Sequence, residues 1–459
     1  METRKTLEPA FGRVGRWLPR NSRHTDAWIR RLKKSVRERP RDLIEPILEF
    51  ERMVDSDRVL HANVAMMFAE AYRLRKTTPL GEPEVKTFHE FLVLLNGIMT
   101  TAPEAYQTTS SGGELQPAGL IGFPINALLD WPMATAYGYD VFANALVNQQ
   151  LKKILGYWSK FLVSPESRYV LTQPEEKIDP TTTVIAWLSD QAQKEMVSVA
   201  TAAVGEGPTF SGTFPQIFNC DPSDPYYGFK SWDDFFIRTF ASGARPVSSP
   251  GDDSVIVNAC ESAPFALQRD VALSAQFWLK GQPYSLENML NWDDYTPQFA
   301  GGTVYQAFLS ALSYHRWHSP VSGTVKKACV INGSYYLESL YQGFRDPQGP
   351  DAAAPNNSQA YLTAVATRAL IFIEADNPAI GLMCVVPIGM AEVSSCEITV
   401  KVGQHVDKGE QLGMFHFDGS THCLVFRPEV KLDFDLYGQT PGPSAETNIR
   451  INTAIARVR

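Results

Sequence analysis

The apolar residues of this chain change their period once, and that change sets what it can fold into. Up to about residue 200 they recur at three- and four-residue steps. Leu43, Ile44, Ile47, Leu48 and Met53 form one stripe, and Val64, Met67, Phe68 and Tyr72 a second. Phe88, Phe91, Leu92 and Leu95 form a third, and Leu151, Ile154, Leu155, Trp158 and Leu162 a fourth. Such spacing lines one face of a helix and predicts packed core. Past Asp221-Pro222-Ser223-Asp224-Pro225 the pattern breaks into short β-type runs at 254–258, 303–305, 323–330, 369–374, 381–387, 397–402 and 422–426. The stretch from Gly205-Glu206-Gly207-Pro208 to Pro225 reads as a boundary. The expected fold class is α+β: a helical N-terminal domain over 1–204, then a β-rich domain over 225–459.

Several local expectations follow. Residues 108–113, rich in Thr, Ser and Gly, predict a flexible loop within the helical part. Residues 379–391 are apolar but too few to cross a bilayer, and read as a buried strand pair. Gly323-Thr324-Val325 and 403–412 read as turns of a compact β-sandwich or barrel. Residues 342–359, rich in Pro, Asp, Asn and Gly, are long for a structureless loop; a lid and a disordered segment are both open readings.

Composition narrows the function. With 459 residues, 44% of them hydrophobic, the chain can bury two domain cores. Its net charge is −8, yet residues 1–41 carry 13 Arg or Lys against 4 Asp or Glu. Trp28, Ile29, Leu32 and Val36 recur within that basic start at helical spacing, which predicts an amphipathic surface helix rather than a transit peptide or an anionic-membrane patch. Nothing else supports nucleic-acid binding, and no integral membrane segment is expected. The 6 cysteines show no Cys-x-x-Cys spacing and read as reduced, buried thiols. The expected compartment is the cytoplasm, with the mitochondrion as the alternative.

Gly419-Ser420-Thr421 carries the chemistry. Glycine leaves its carbonyl open to attack and tolerates a strained backbone. The Ser420 hydroxyl can attack the Gly419 carbonyl and turn the amide into an ester. β-Elimination then cuts the chain and leaves a dehydroalanine, which loses ammonia to become a pyruvoyl group. That carbonyl takes up an amine as a Schiff base and draws off electrons for decarboxylation. The cut needs a base, and the chain has only 8 histidines. His315 and His318 sit three apart, and His416 and His422 flank the cut. No third ligand accompanies His315 and His318 at metal spacing, so no metal is expected. No histidine precedes a lysine, so no pyridoxal phosphate is expected either.

Four segments, in order, make the C-terminal half resemble the phosphatidylserine decarboxylase family of pyruvoyl enzymes. They are Ser231-Trp232-Asp233-Asp234-Phe235-Phe236-Ile237-Arg238 with Gly243-Ala244-Arg245-Pro246-Val247; Lys280-Gly281-Gln282-Pro283-Tyr284-Ser285-Leu286; Tyr314-His315-Arg316-Trp317-His318-Ser319-Pro320; and the Gly-Ser-Thr segment. The resemblance covers roughly 225–459. It implies a covalent pyruvoyl cofactor derived from Ser420, with His318 as the base of maturation and His315 serving decarboxylation. It also implies that the cut α and β chains stay associated. The family's aspartate falls where this chain has Asn258-Ala259-Cys260-Glu261-Ser262, so Glu261 is expected to hold the imidazole. The helical N-terminal region, Glu261, Phe372-Ile373-Glu374-Ala375-Asp376-Asn377 and Ile388-Gly389-Met390-Ala391-Glu392 look closer to a fungal branch that includes the L-tryptophan decarboxylase of psilocybin-type pathways. The implied function is decarboxylation of a small-molecule L-amino acid of aromatic type. Decarboxylation of phosphatidylserine and an inactive scaffold paralogue remain alternatives.

Overall fold

The computed structural model describes residues 18–19, 22–109, 115–207, 212–275, 284–339, 358–393, 395–416, 420–442, 445 and 447–459, with backbone alone at 115–121, 393 and 395. The helical stripes fold as expected into α1 (Ser22–Glu38), α2 (Glu45–Ser56), α3 (Arg58–Lys76) and α4 (Phe88–Ile98). They are followed by α5 (Pro124–Met133), α6 (Ala136–Ala143), α7 (Ala145–Leu162), the short α8 (Tyr169–Thr172) and α9 (Asp190–Ala202). Their starts are set by side chains that accept the first free amides: Asp57 for α3, Thr87 for α4, Asn144 for α7 and Ser189 for α9. In α1, Trp28, Ile29 and Leu32 are buried as their spacing predicts. A buried ion pair from Arg75 of α3 to Asp26 ties α1 in place.

The N-terminal part is not purely helical. Strands β1 (Glu104–Thr109), β2 (Leu115–Ile121), β3 (Glu176–Lys177) and β4 (Thr182–Ile185) form an antiparallel sheet in the order β2-β1-β4-β3. Thr108 and Thr109 belong to β1, not to the expected loop, whose other residues lie outside the described ones. Pairing with β4 on one side and β2 on the other supplies what the local sequence does not signal.

Short helices α10 (Phe214–Ile217) and α11 (Trp232–Phe236) lead into the β-rich part. Its strands are β5 (Val255–Val257), β6 (Ala263–Val271), β7 (Gly302–Leu309), β8 (Arg316–His318), β9 (Gly323–Ile331), β10 (Arg368–Ala375) and β11 (Leu382–Gly389). They continue as β12 (Ser395–Ile398), β13 (His405–Val406), β14 (Gln411–His416), β15 (Ser420–Phe426), β16 (Leu432–Phe434) and β17 (Ala454–Val458). The largest sheet runs β13-β9-β10-β11-β15-β7-β6, and β12-β14-β8 and β16-β17-β5 form two smaller ones. Residues 379–391 give one strand, β11, where a pair was expected. All eight of its residues are buried, because β10 and β15 flank it and both faces are covered. Gly323-Thr324-Val325 opens β9 rather than a turn, pairing with β10 and β13. The expected lid or disordered loop at 342–359 lies outside the described residues up to 357.

The helical and β-rich parts are stitched together. Val204 bridges in parallel to Ile449, and Arg450 Nε donates to the Ala203 carbonyl at 2.9 Å. The Trp232 amide donates to Ser167 Oγ at 2.9 Å.

Candidate active site

Ser420 is the first residue of β15 and sits in the interior of the large sheet, paired with Gly389 of β11 and Leu309 of β7. It is fully buried, and its hydroxyl has no hydrogen-bond partner among the described residues. Gly419, the other half of the expected scissile bond, lies outside them. The next residue is locked: Thr421 Oγ1 donates to the Ala307 carbonyl at 3.0 Å and accepts from Gln306 Nε2 at 3.0 Å. Gln306 in turn accepts from the Tyr284 hydroxyl. These bonds add to the ladder in fixing the strand's register beside Ser420. His422, two residues on, is buried, and burial pulls its pKa down to about 3.

The two histidines of the paired motif have different surroundings. His315 is fully buried and stacks on Phe236 of α11, ring centroids 4.0 Å apart. Its ring also meets the backbone of Ser310, the residue after Leu309, which pairs with Ser420. Burial, then the Arg238 guanidinium, holds its pKa well below the usual imidazole value, so it is neutral at physiological pH. His318 accepts from or donates to the Tyr314 hydroxyl through Nε2 at 3.2 Å. Burial pulls its pKa down to about 4, with Asn452 and the Gly409 backbone pulling the other way.

Glu261 is hydrogen-bonded to an arginine, not to the imidazole the resemblance implied. Its carboxylate takes Arg245 Nε on both oxygens, at 3.1 and 3.0 Å, and the Ile451 amide at 2.8 Å. A buried guanidinium outcompetes a neutral imidazole for a buried carboxylate, because only the ion pair offsets the desolvated charge. Among the described residues, a packed route runs from Glu261 to His318: the Arg245 guanidinium lies over Phe240, Phe240 stacks on Tyr314, and Tyr314 meets His318.

The structure adds residues that the sequence reading did not assign. His416, at the end of β14, is held between two carboxylates: Nδ1 lies 2.9 Å from Asp233 Oδ2 and Nε2 lies 2.8 Å from Glu397 Oε2. Burial alone would lower its pKa, but Asp233 and then Glu397 outweigh it and raise it. Burial, the largest influence, raises the Asp233 carboxyl, while the His416 imidazole pulls it back down. Glu392, in the turn after β11, is buried and accepts from the Ile125 and Asn126 amides of α5 at 2.6 and 2.8 Å. Burial pushes its pKa up to about 8 against those two bonds. Asp233, Tyr314, Arg245 and Glu392 all fall inside the quoted segments, so position gave a signal; their partners did not. No group of three or more metal-binding side chains occurs among the described residues.

A buried serine opening an interior strand of the large sheet and buried histidines held neutral by burial sit within a β-rich part joined to a helical one, and the comparisons with known proteins give that arrangement its class. The chain belongs to the phosphatidylserine decarboxylase family, which is pyruvoyl-dependent. Two family models match, both described as phosphatidylserine decarboxylase, one over residues 232–445 and one over 44–196. The chain is 41% identical to the decarboxylase iboD of Amanita muscaria over 351 residues, 73% of this chain and 91% of that one. It is 34% identical to the L-tryptophan decarboxylase of Psilocybe cubensis over 91% of this chain and 87% of that one. The L-tryptophan decarboxylase of Psilocybe cyanescens is 34% identical over 99% and 97%. The Schizosaccharomyces pombe phosphatidylserine decarboxylase proenzyme 3 is 29% identical over 46% of this chain and 20% of its own length.

Proposed function

We propose that the chain cuts itself between Gly419 and Ser420 and then removes the carboxyl group of a free L-amino acid of aromatic, tryptophan-like type, releasing CO2 and the amine. The extent of the likeness carries this reading. The two Psilocybe L-tryptophan decarboxylases align through both the helical and the β-rich parts, whereas the phosphatidylserine decarboxylase proenzymes align over 46–58% of the chain. Residues 1–204 and 225–459 then act as two domains of one enzyme.

The buried hydroxyl of Ser420, without a partner among the described residues, fits a pyruvoyl precursor. Once formed, that group supplies a carbonyl for the substrate amine and an electron sink. The remaining work belongs to side chains. His318 takes the Ser420 proton during the cut, in the role the family resemblance gives it. His315, kept neutral by burial, accepts or gives a proton during decarboxylation. No helix among the described residues is long and apolar enough to cross a membrane. The family models favour a second reading, decarboxylation of phosphatidylserine.

The test is to incubate the purified full-length chain separately with tryptophan, phenylalanine and phosphatidylserine vesicles. Mass spectrometry should find a chain starting at a modified residue 420, and amine with CO2 from tryptophan without lipid or added pyridoxal phosphate. Ser420→Ala should stay uncut and inactive. An active preparation showing only full-length chain removes the self-cutting mechanism. Turnover of vesicles alone installs the lipid reading. His318→Ala should accumulate uncut chain, while His315→Ala should cut and decarboxylate about 10²–10⁴-fold more slowly.

A further inference from the structure

We propose that Asp233, His416 and Glu397 form a positioning clamp for self-cleavage, holding the strand end that leads into the Gly419–Ser420 bond only while the imidazole of His416 carries both its ring protons. This rests on the self-cutting reading above and concerns its control.

The register frames the clamp. His416 pairs with Ser395 of β12, and Ser420 pairs with Gly389 of β11. The ladders thus hold the chain on both sides of residues 417–419. On the Ser420 side the strand is further fixed by Thr421. On the other side the fixing group is the His416 side chain, gripped from α11 by Asp233 and from β12 by Glu397. The same α11 places Phe236 against His315, so one short helix touches both the clamp and a candidate catalytic ring. For the Ser420 oxygen to reach the Gly419 carbonyl carbon, both must be held in attack geometry, and small displacements are costly in rate.

An imidazolium donates from both nitrogens, whereas a neutral imidazole donates from one. Losing the proton therefore breaks one arm and leaves a carboxylate facing a lone pair. Among the described residues, the charged groups around the ring are Asp233 and Asp234 on α11 and Glu397 on β12. Arg316 of β8 lies opposite Met414, two residues before His416 on the same strand face. A raised imidazole pKa means that the clamp is complete below it and is lost as pH rises through it. His315 and His318, with lowered values, stay neutral across the same range, so they do not produce an alkaline fall.

The full chain, made by cell-free translation and shifted to chosen pH values, can be followed by denaturing gel. Wild-type cutting should be fastest near about pH 6 and fall by about tenfold toward about pH 9, the rate equivalent of one charge-assisted hydrogen bond. His416→Gln should cut about tenfold more slowly at the acid end, with no alkaline fall. His416→Lys, which keeps a cation of higher pKa, should cut and move the fall to higher pH. Glu397→Gln, at an exposed position where the fold tolerates either form, should move the fall to lower pH and decides the matter if His416→Gln does not fold. A flat wild-type profile, or a fall unmoved by Glu397→Gln, overturns the clamp while leaving self-cutting intact. A wild-type chain that never cuts overturns both.

Discussion

At the scale of single residues, the pairing of Glu261 with Arg245 is the arrangement most open to test. Both side chains are buried, and the guanidinium also donates to the Ala200 carbonyl at 2.8 Å, linking α9 to the β-rich part. Removing one partner of a buried ion pair strands the other charge. Arg245→Ala should therefore destabilise the fold by about 3–5 kcal/mol in urea unfolding. Arg245→Ala combined with Glu261→Ala should cost less than the two single changes summed, since the stranded charge is gone. A simple additive result would show that the ion pair contributes no coupling. Ser420 and His315 could be singled out from the sequence because each sits in a short motif. The partners of His416 were not: Asp233 lies 183 positions away, and nothing in either local sequence announces that α11 and β14 meet.

Among elements, the turn after β11 joins the two parts of the chain through one carboxyl. Glu392 closes the N-terminal turn of α5, whose first amides have no partner within the helix. Glu392→Ala should cost about 1–3 kcal/mol by leaving those amides unsatisfied. Glu392→Gln keeps an acceptor and removes the buried charge. Because the carboxyl's pKa rises from 4.5 to about 8 on folding, the folded state holds more protons in that window and wild-type stability falls as pH rises through it. Thermal unfolding should show Glu392→Gln losing less stability than wild type between those values; parallel curves would contradict the burial of this charge. β10, β11 and β15 could be read from the sequence because strands covered on both faces become continuous apolar runs. β1 to β4 could not: Glu-Ala-Tyr-Gln-Thr-Thr has no clear alternation, and β3 is two exposed residues. Tertiary pairing made those strands, not local preference.

For the molecule as a whole, the placement of β15 has a consequence for how the mature protein melts. The strand starts at Ser420 and runs between β11 and β7, with seven cross-strand pairs on each side. A cut just ahead of it, as proposed, turns one chain into two components that share a sheet. Native gel filtration should then return both pieces in one peak. Unfolding of the cut form releases two molecules from one, so its melting midpoint should climb with protein concentration, while that of Ser420→Ala should not. Diluted after melting, the short piece must find its partner by diffusion before the sheet can close. The uncut chain carries that strand on a tether and refolds at a rate independent of concentration. Maturation of this kind exchanges a fold that can repair itself at any dilution for one whose repair depends on two pieces meeting.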